Sequence, residues 1–221
     1  MSATRRPPLR VAVLVSGSGS NLQAIIDASR SGTLDARVVG VISDRPGVLA
    51  LDRARQAGIP GITVDYRACG DREAFGARLQ GELQRLDPQL VVLAGFMRIL
   101  PAAVVDSHRD RMLNVHPSLL PLYPGLDTYR RALEAGDAWH GTTVHFVIPE
   151  LDAGPAILQY RVRIRPGETE DSLRQRVQRG EHRIYPQAIQ WLAEGRVVCR
   201  DGVVWRDGQR ASGPEIIDET G

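Results

Sequence analysis

The chain has 221 residues, of which 43% are hydrophobic and 24% are charged, and this composition is typical of a globular protein with a well-buried core. Its formal net charge of +2 gives no electrostatic indication of nucleic-acid binding. All 28 basic residues are arginine, which excludes a Schiff-base lysine and the lysine of a nucleotide-binding P-loop.

The two cysteines, Cys69 and Cys199, lie far apart in the chain and match no metal-ligand spacing. Isolated cysteines of this kind fit a reducing compartment, so we expect a cytoplasmic protein without a metal site. The apolar run after the basic N-terminal residues is too short for a signal peptide. No segment approaches the ~20 apolar residues of a membrane span, and we therefore expect no membrane association.

The first half of the chain alternates short valine-rich runs with segments of helical periodicity. In chain order these predict a strand at 10–16, a helix at 20–32, a strand at 36–44, a helix at 47–57, a strand at 61–65, a helix at 71–87 and a strand at 89–95. Strands that alternate with helices indicate βαβ units, and hence a parallel sheet covered on both faces.

Beyond residue 110 the predicted strands follow one another with less helix between them. They are residues 111–115, 142–148 and 156–164, and a helix then runs from Glu170 to Glu194, where Pro186 should bend it. No linker separates the two halves of the chain.

The sequence therefore predicts one α/β domain over residues 9–205, with a Rossmann-like fold. We expect about 9–100 to form the parallel half of one twisted sheet and about 101–205 to form a mixed half. Residues 206–221 are predicted to be a loose tail, to which the sequence assigns no role.

A glycine loop, "SGSGSNLQ", lies between the first predicted strand and the first predicted helix. Glycines there let backbone N–H groups approach an anion, and the helix N-terminus adds a favourable dipole. The dinucleotide fingerprint needs a third glycine where this chain has Leu22, and Asp44 is the one acid placed to reach a ribose. A single phosphate monoester bound by Gly19, Ser20 and Asn21 fits better, and a plain tight turn is the structural alternative.

The stretch "MLNVHPSLLPLYPG" places Asn114 and His116 two positions apart at the end of a predicted strand. Residues at that spacing project from one face of a strand, and ligands bind at the carboxyl ends of open parallel sheets. Asp152 lies in a loop after a later strand, and an acid beside His116 would favour the charged form of the histidine. His145 either lines the same pocket or is a packed strand histidine, whereas His108, His140 and His182 are interpreted as structural or surface residues.

Six segments occur in the order and spacing of the phosphoribosylglycinamide formyltransferases, which the chain resembles over roughly residues 10 to 200. They are "SGSGSNLQAI", "VVLAGFMRIL", "LNVHPSLLPLYPG", "HGTTVHFV", "ELDAGP" and "EHRIYP". The resemblance implies a single-domain formyltransferase fold and transfer of a formyl group from the co-substrate 10-formyltetrahydrofolate to the amine of glycinamide ribonucleotide in purine biosynthesis. The expected partners are these two small molecules, without nucleic acid, and the oligomeric state stays open between a monomer and a homodimer.

The same resemblance assigns roles to residues of this chain. Asn114, His116 and Asp152 match the catalytic trio. The first half is then the phosphate-binding half and the second half is the folate-binding and catalytic half. Two further sets match binding residues: for the ribonucleotide Gly19, Ser20, Asn21 and Glu181, and for the folate Arg72, Met97, Arg98, Ile99 and Leu100 together with Asn114 and Asp152.

Three positions depart from the expected pattern: Leu122 in the "LPxYPG" loop, Asp127 and Tyr129. Alternative functions are a formyltetrahydrofolate deformylase, another formyltransferase such as that of methionyl-tRNA, and a nucleotide-binding module without catalysis. The deformylase carries a regulatory domain before the glycine loop, for which this chain has only about ten residues, and the methionyl-tRNA enzyme carries an additional C-terminal domain. The arginine-rich stretch 174–183 indicates an exposed helix face, and RNA binding there is disfavoured because acids interrupt it and no aromatic platform accompanies it.

Overall fold

A computed structural model describes residues 7–219 of the chain. Its strands are β1 (Leu9–Val15), β2 (Ala36–Ser43), β3 (Gly61–Thr63), β4 (Leu90–Leu93), β5 (Met112–His116), β6 (Trp139–Phe146), β7 (Ala156–Arg163), β8 (Val197–Arg200), β9 (Val203–Arg206), β10 (Gln209–Arg210) and β11 (Glu215–Asp218). Its α-helices are α1 (Ser20–Ser31), α2 (Leu49–Gln56), α3 (Arg72–Leu86), α4 (Ala102–Ser107), α5 (Thr128–Ala135) and α6 (Glu170–Ala193).

One eight-stranded sheet organises the molecule, in the order β11-β7-β6-β5-β4-β1-β2-β3. The strands β1 to β5 pair in parallel, whereas β6 pairs antiparallel with both β5 and β7. The predicted α/β class, with a parallel first half and a mixed second half, is confirmed. The strands β8, β9 and β10 form a small antiparallel sheet of their own.

Apolar side chains are buried on both faces of the main sheet. The larger cluster includes Leu22 of α1 and Ile184 of α6, and the smaller one includes Phe75 and Leu79 of α3. Tyr185 of α6 is completely buried and donates its hydroxyl to the backbone oxygens of β4 and β5, at Leu93 and Leu113. The long helix α6 is thereby fixed against the strands that carry the site described below.

The strand order reverses at the centre of the parallel half. The chain leaves β1 towards β2 and β3 on one side, and later continues from β4 to β5 on the other. A crevice is expected outside the carboxyl ends of the two strands at such a reversal, and ligands bind there in open α/β sheets. The glycine loop follows β1, and the segment 94–100 follows β4.

The strands and helices predicted in the first half and the long final helix agree with the structure to within about three residues. The helix α6 continues through Pro186, which is buried within it. The short helices α4 and α5 and the strands β8 to β11 were not predicted.

One prediction for the C-terminal region is wrong. The described part of the 206–221 tail is not loose, because β11 pairs in parallel with β7 and extends the main sheet. The arginine-rich stretch 174–183 does present an exposed helix face, as predicted, but Arg176 within it is only 4% exposed. Its guanidinium binds the carboxylates of Glu168 and Glu219, and these acids satisfy a charge that could not otherwise be buried.

Within residues 7–219, none of the helices is long and apolar enough to cross a membrane. Cys69 and Cys199 are both buried free thiols.

Candidate active site

The glycine loop enters α1 through a residue in the left-handed conformation. Gly19 has φ 71°, and a Cβ built there would lie 2.7 Å from the Cβ of Ala50, so only glycine fits without movement. No side chain caps the first turn of α1, so the turn's N–H groups are left for an anion. Of the residues predicted to bind phosphate, Ser20 accepts a hydrogen bond from Gln178 of α6, and Asn21 is buried.

A buried carboxyl faces this loop from α6. The amide nitrogen of Asn21 donates to Oε2 of Glu181 at 2.7 Å, and both residues are less than 10% exposed. Burial raises the pKa of Glu181 to about 7, although the hydrogen bond from Asn21 opposes the change. The structure thus brings all four residues of the predicted ribonucleotide set to the start of α1.

The strand β5 places Asn114 opposite His145 of β6 and places His116 opposite Thr143. The amide nitrogen of Asn114 lies 3.2 Å from Nε2 of His145. Nδ1 of His145 lies 2.9 Å from the backbone oxygen of Phe146, which can only accept. Nδ1 therefore carries the proton, and Nε2 accepts the hydrogen bond from Asn114.

His145 is buried and burial lowers its pKa, so the ring is neutral near pH 7. The neutral ring accepts a hydrogen bond from one N–H of the Asn114 amide. The direction of the second N–H is fixed as a result. The sequence left His145 undecided between a pocket residue and a packed strand residue. The register of β5 and β6 pairs His145 with Asn114 and so decides the question. That register could not be predicted from the sequence.

Asp152 joins the cluster from the hairpin loop 147–155 between β6 and β7. Its Oδ2 accepts a hydrogen bond from the backbone N–H of Gly125 at 2.9 Å and lies 3.4 Å from Nδ1 of His116. Its Oδ1 lies 3.9 Å from Nε2 of His145. The structure therefore brings together the three residues that the sequence singled out, Asn114, His116 and Asp152.

Both ring nitrogens of His116 face oxygen acceptors. Nε2 lies 2.9 Å from the backbone oxygen of Tyr123, and Nδ1 faces the Asp152 carboxylate. A neutral imidazole has only one N–H, whereas the charged form can donate in both directions. The two contacts together fix the orientation of the His116 ring.

The loop that supplies Asp152 returns sharply to the sheet. The N–H of Phe146 donates to the backbone oxygen of Pro155 at 3.0 Å. A Cβ added to Gly154 would lie 1.8 Å from the backbone oxygen of Phe146, so no side chain fits at this position. Gly154 therefore fixes the path of the loop immediately after Asp152.

The segment predicted to bind folate divides into exposed and buried residues. Met97 and Ile99 expose more than half of their surface, whereas Leu100 packs in the smaller apolar cluster. Arg98 donates from Nε to the carboxylate of Asp44 at 2.7 Å. The side chain of Asp44 is also completely buried, so it does not present a carboxylate at the surface for a ribose. The sequence had left a dinucleotide open only through this residue.

Arg72 is the one member of the predicted folate set that belongs to α3. It is the first residue of α3, its side chain is half-exposed, and Nε lies 3.6 Å from the carboxylate of Glu73. Leu122, one of the three departures from the expected pattern, is also exposed, and its backbone oxygen accepts from Ser118.

No group of three or more histidine, cysteine or acidic side chains within residues 7–219 is arranged to hold a metal ion.

A phosphate-type loop, a crevice at a reversal of strand order and an amide–imidazole–carboxyl cluster define an enzyme of the open α/β class. Comparison with known sequences is more specific, because the family model described as formyl transferase matches residues 9–189. The chain belongs to the formyl transferase family.

Three relatives indicate the position of the chain in that family. It is 50% identical over 202 residues to the phosphoribosylglycinamide formyltransferase of Escherichia coli strain K12, which covers 91% of this chain and 95% of the relative. The solved structure of the phosphoribosylglycinamide formyltransferase of Coxiella burnetii superposes with a TM-score of 0.91 at 44% identity, covering 95% of this chain and 99% of that chain. A formyltetrahydrofolate deformylase of Pseudomonas syringae pv. tomato has a TM-score of 0.83 at 26% identity, covering 90% of this chain and 66% of that chain.

Proposed function

We propose that this protein transfers the formyl group of 10-formyltetrahydrofolate to the amine of glycinamide ribonucleotide, in purine biosynthesis. The products are formylglycinamide ribonucleotide and tetrahydrofolate. The single observation that carries the proposal is the cluster of Asn114, His116 and Asp152, which lies at the same carboxyl edge of the parallel strands as the glycine loop. The two buried free cysteines support a reducing cytoplasm as its location.

The ribonucleotide is assigned to the glycine loop. Its phosphate binds the uncapped N-terminus of α1 at Gly19, Ser20 and Asn21, where backbone N–H groups and the helix dipole favour an anion. Glu181 accepts hydrogen bonds from the ribose hydroxyls, since its carboxyl is held beside Asn21. The glycine amine then extends from the loop towards the cluster.

The folate is assigned to the exposed apolar surface of Met97 and Ile99, with the backbone of the segment 97–100 as a source of hydrogen bonds. Leu100 contributes through its backbone, because its side chain is buried in the core. Arg72, which is half-exposed at the start of α3, supplies positive charge towards the anionic end of the co-substrate, whereas the guanidinium of Arg98 is paired with Asp44. The loop around Asp152 covers the pterin side.

The chemistry follows from the groups that meet at the cluster. The neutral amine attacks the formyl carbon, and the carbonyl oxygen becomes an oxyanion. The second N–H of Asn114 donates to that oxyanion, and one such donor is typically worth ~3 kcal/mol of barrier. His116 adds a second donor when its Nε2–H turns from the backbone oxygen of Tyr123 to the substrate.

The C–N bond to the folate then breaks, and the folate nitrogen leaves with a proton that comes from the attacking amine. His116 transfers that proton, or a water held by Asp152 does so. Asp152 orients the ring of His116, which is a role like that of the acid in a catalytic triad. The scheme needs no covalent intermediate with the protein.

The deformylase is the competing activity, and it would use water in place of the amine. The buried Glu181 beside the glycine loop supports the transferase, because water as the acceptor would give a ribose-binding carboxyl nothing to bind. Identity of 50% to a transferase, against 26% to the deformylase, supports the same choice.

The test is an assay of folate product with and without glycinamide ribonucleotide. Turnover that requires the ribonucleotide is expected, whereas turnover in its absence would assign the deformylase reaction instead. The variants Asn114→Ala and His116→Ala are each expected to lower kcat by about 100-fold or more, with little change in ribonucleotide affinity.

A matched control is His108→Asn, because His108 is a buried histidine whose Nδ1 lies near the backbone oxygen of Val104, outside the cluster. This variant should keep the wild-type kcat. Comparable turnover in wild type, Asn114→Ala and His116→Ala would refute the assignment of these roles.

A further inference from the structure

The glycine loop and the segment that follows β4 are joined by a buried hydrogen bond. Ser16 is the first residue after β1 and is only 3% exposed. Its Oγ accepts from the backbone N–H of Met97 at 2.8 Å. The position of Met97 is therefore set by the loop assigned above to the ribonucleotide.

A second connection comes from the end of β2. The side chain of Asp44 is completely buried, and its Oδ2 accepts from Nε of Arg98 at 2.7 Å. Its Oδ1 lies 3.5 Å from Nε of Arg45 and has no hydrogen-bond partner among the described residues. A buried carboxylate depends on its partner cation, so Arg98 is tightly held.

The main chain of Asp44 fixes the other side of Arg98. Its backbone oxygen accepts from the N–H of Tyr66 at 2.9 Å, and the guanidinium of Arg98 lies 4.3 Å from the centre of the Tyr66 ring. A guanidinium over an aromatic face is attracted by the ring quadrupole. Arg98 is thus held between the carboxylate of Asp44 and the ring of Tyr66, and the backbone of Asp44 helps to position that ring.

The residues on either side of Arg98 are the exposed ones. Met97 is 60% exposed and Ile99 is 55% exposed, and such apolar side chains pack poorly unless a ligand covers them. Ser16 binds the backbone N–H of Met97, and Asp44 holds the segment through the side chain of Arg98. An apolar surface held in place before binding loses less conformational freedom when the ligand arrives.

We infer that Ser16 and Asp44 are positioning residues for the folate co-substrate. They hold the segment 97–99 in its binding conformation, and Asp44 acts through Arg98 without touching the substrate. This inference rests on the function proposed above. Dinucleotide-binding folds place a ribose-binding acid at the end of this strand. In this protein the acid after β2 instead fixes the segment that we assign to the folate.

The experiment measures KM for each substrate and kcat in Asp44→Ala, Asp44→Asn and Ser16→Ala. In Asp44→Ala the KM for 10-formyltetrahydrofolate should rise about tenfold or more, because a charged hydrogen bond is lost. In Ser16→Ala a smaller rise of roughly threefold is expected for one neutral hydrogen bond. The KM for glycinamide ribonucleotide should stay within about twofold in both variants.

Asp44→Asn tests the chemistry of the contact. Its amide oxygen can still accept from Arg98 but carries no charge, so the folate KM should lie between those of wild type and Asp44→Ala. In an Arg98→Ala background, Asp44→Ala should cause no further rise in the folate KM, since the two residues act in series. The matched control is Asp52→Asn, which alters an exposed aspartate–arginine pair on α2 and should leave both KM values unchanged.

Equal rises in both KM values, or an unchanged folate KM in Asp44→Ala and Ser16→Ala, would overturn the inference while leaving the proposed function intact. A wild-type protein without ribonucleotide-dependent turnover would overturn the proposed function and this inference with it. If Asp44→Ala does not fold, Ser16→Ala and Asp44→Asn decide between the same outcomes.

Discussion

Glu181 makes the stability of the protein depend on pH in a direction that can be worked out from its burial. The pKa of its carboxyl is raised from 4.5 to about 7, mainly by burial. Between these values the folded protein keeps the proton and the unfolded chain releases it. The contribution of this carboxyl to the free energy of unfolding is therefore fully present below pH 4.5 and is lost as the pH rises through 7. The total loss is about 3 kcal/mol at ~1.4 kcal/mol per pKa unit.

The substitution Glu181→Gln removes this ionisation and keeps the contact, because the glutamine oxygen can still accept from Asn21. Urea unfolding of wild type and variant at pH 5 and pH 8 measures the effect. Between these values the wild type should lose roughly 2.5 kcal/mol more stability than the variant. Glu134→Gln is the matched control, since the Glu134 side chain is exposed and should give no such difference. Parallel loss in wild type and Glu181→Gln would refute the argument that burial holds the proton on Glu181.

Three further predictions concern the cluster, its loop and the C-terminal strand. Asp152→Asn should lower kcat by about tenfold or more, because His116 loses the carboxylate that orients its ring, and an unchanged kcat would argue against their pairing. Gly154→Ala should abolish folding or cost several kcal/mol in urea unfolding, whereas Gly213→Ala, with open space at its Cβ, should be nearly neutral. Glu219→Gln should lower the unfolding free energy by about 1–3 kcal/mol, because it removes a charge from a buried arginine, and no loss would show that the arginine needs only its other acid.

Much of the fold could be predicted because its strands are short valine-rich runs that end in glycine or aspartate. That pattern is local, and β1, β2 and β4 are buried along nearly their whole length, as a parallel sheet requires. The helix α4 has only six residues, which is too short for a periodic pattern to be seen.

The strand β11 could not be predicted for a different reason. Its residues are mostly exposed, so they carry no alternation of apolar and polar side chains. The segment is a strand because it pairs with β7, more than fifty residues earlier in the chain. Arg176 illustrates the same limit, since its burial depends on Glu168 and Glu219, which lie on either side of it at different distances in the sequence.

The part of the candidate site that depends on residue spacing along one strand could be predicted from the sequence. The part that depends on contacts between segments distant in the sequence could not. The two-residue spacing of Asn114 and His116 on one strand pointed to the site directly. Asp152 could be proposed as a partner, but its contact with His116 depends on the fold of a loop. His145 and Asp44 orient other residues of the site, and neither role follows from the residue's own position in the sequence.

The mixed character of the sheet explains how the acid reaches the histidine. The strands β6 and β7 are antiparallel, so they are joined by a hairpin loop of residues 147–155 only. A parallel neighbour would need a crossover connection of a dozen residues or more, usually a helix on one face of the sheet. The short loop instead keeps Asp152 beside β5, with its carboxylate against His116 and the N–H of Gly125. The parallel half thus carries the loop to which we assign the phosphate, and the antiparallel pair places a carboxylate beside the histidine to which we assign the proton transfer.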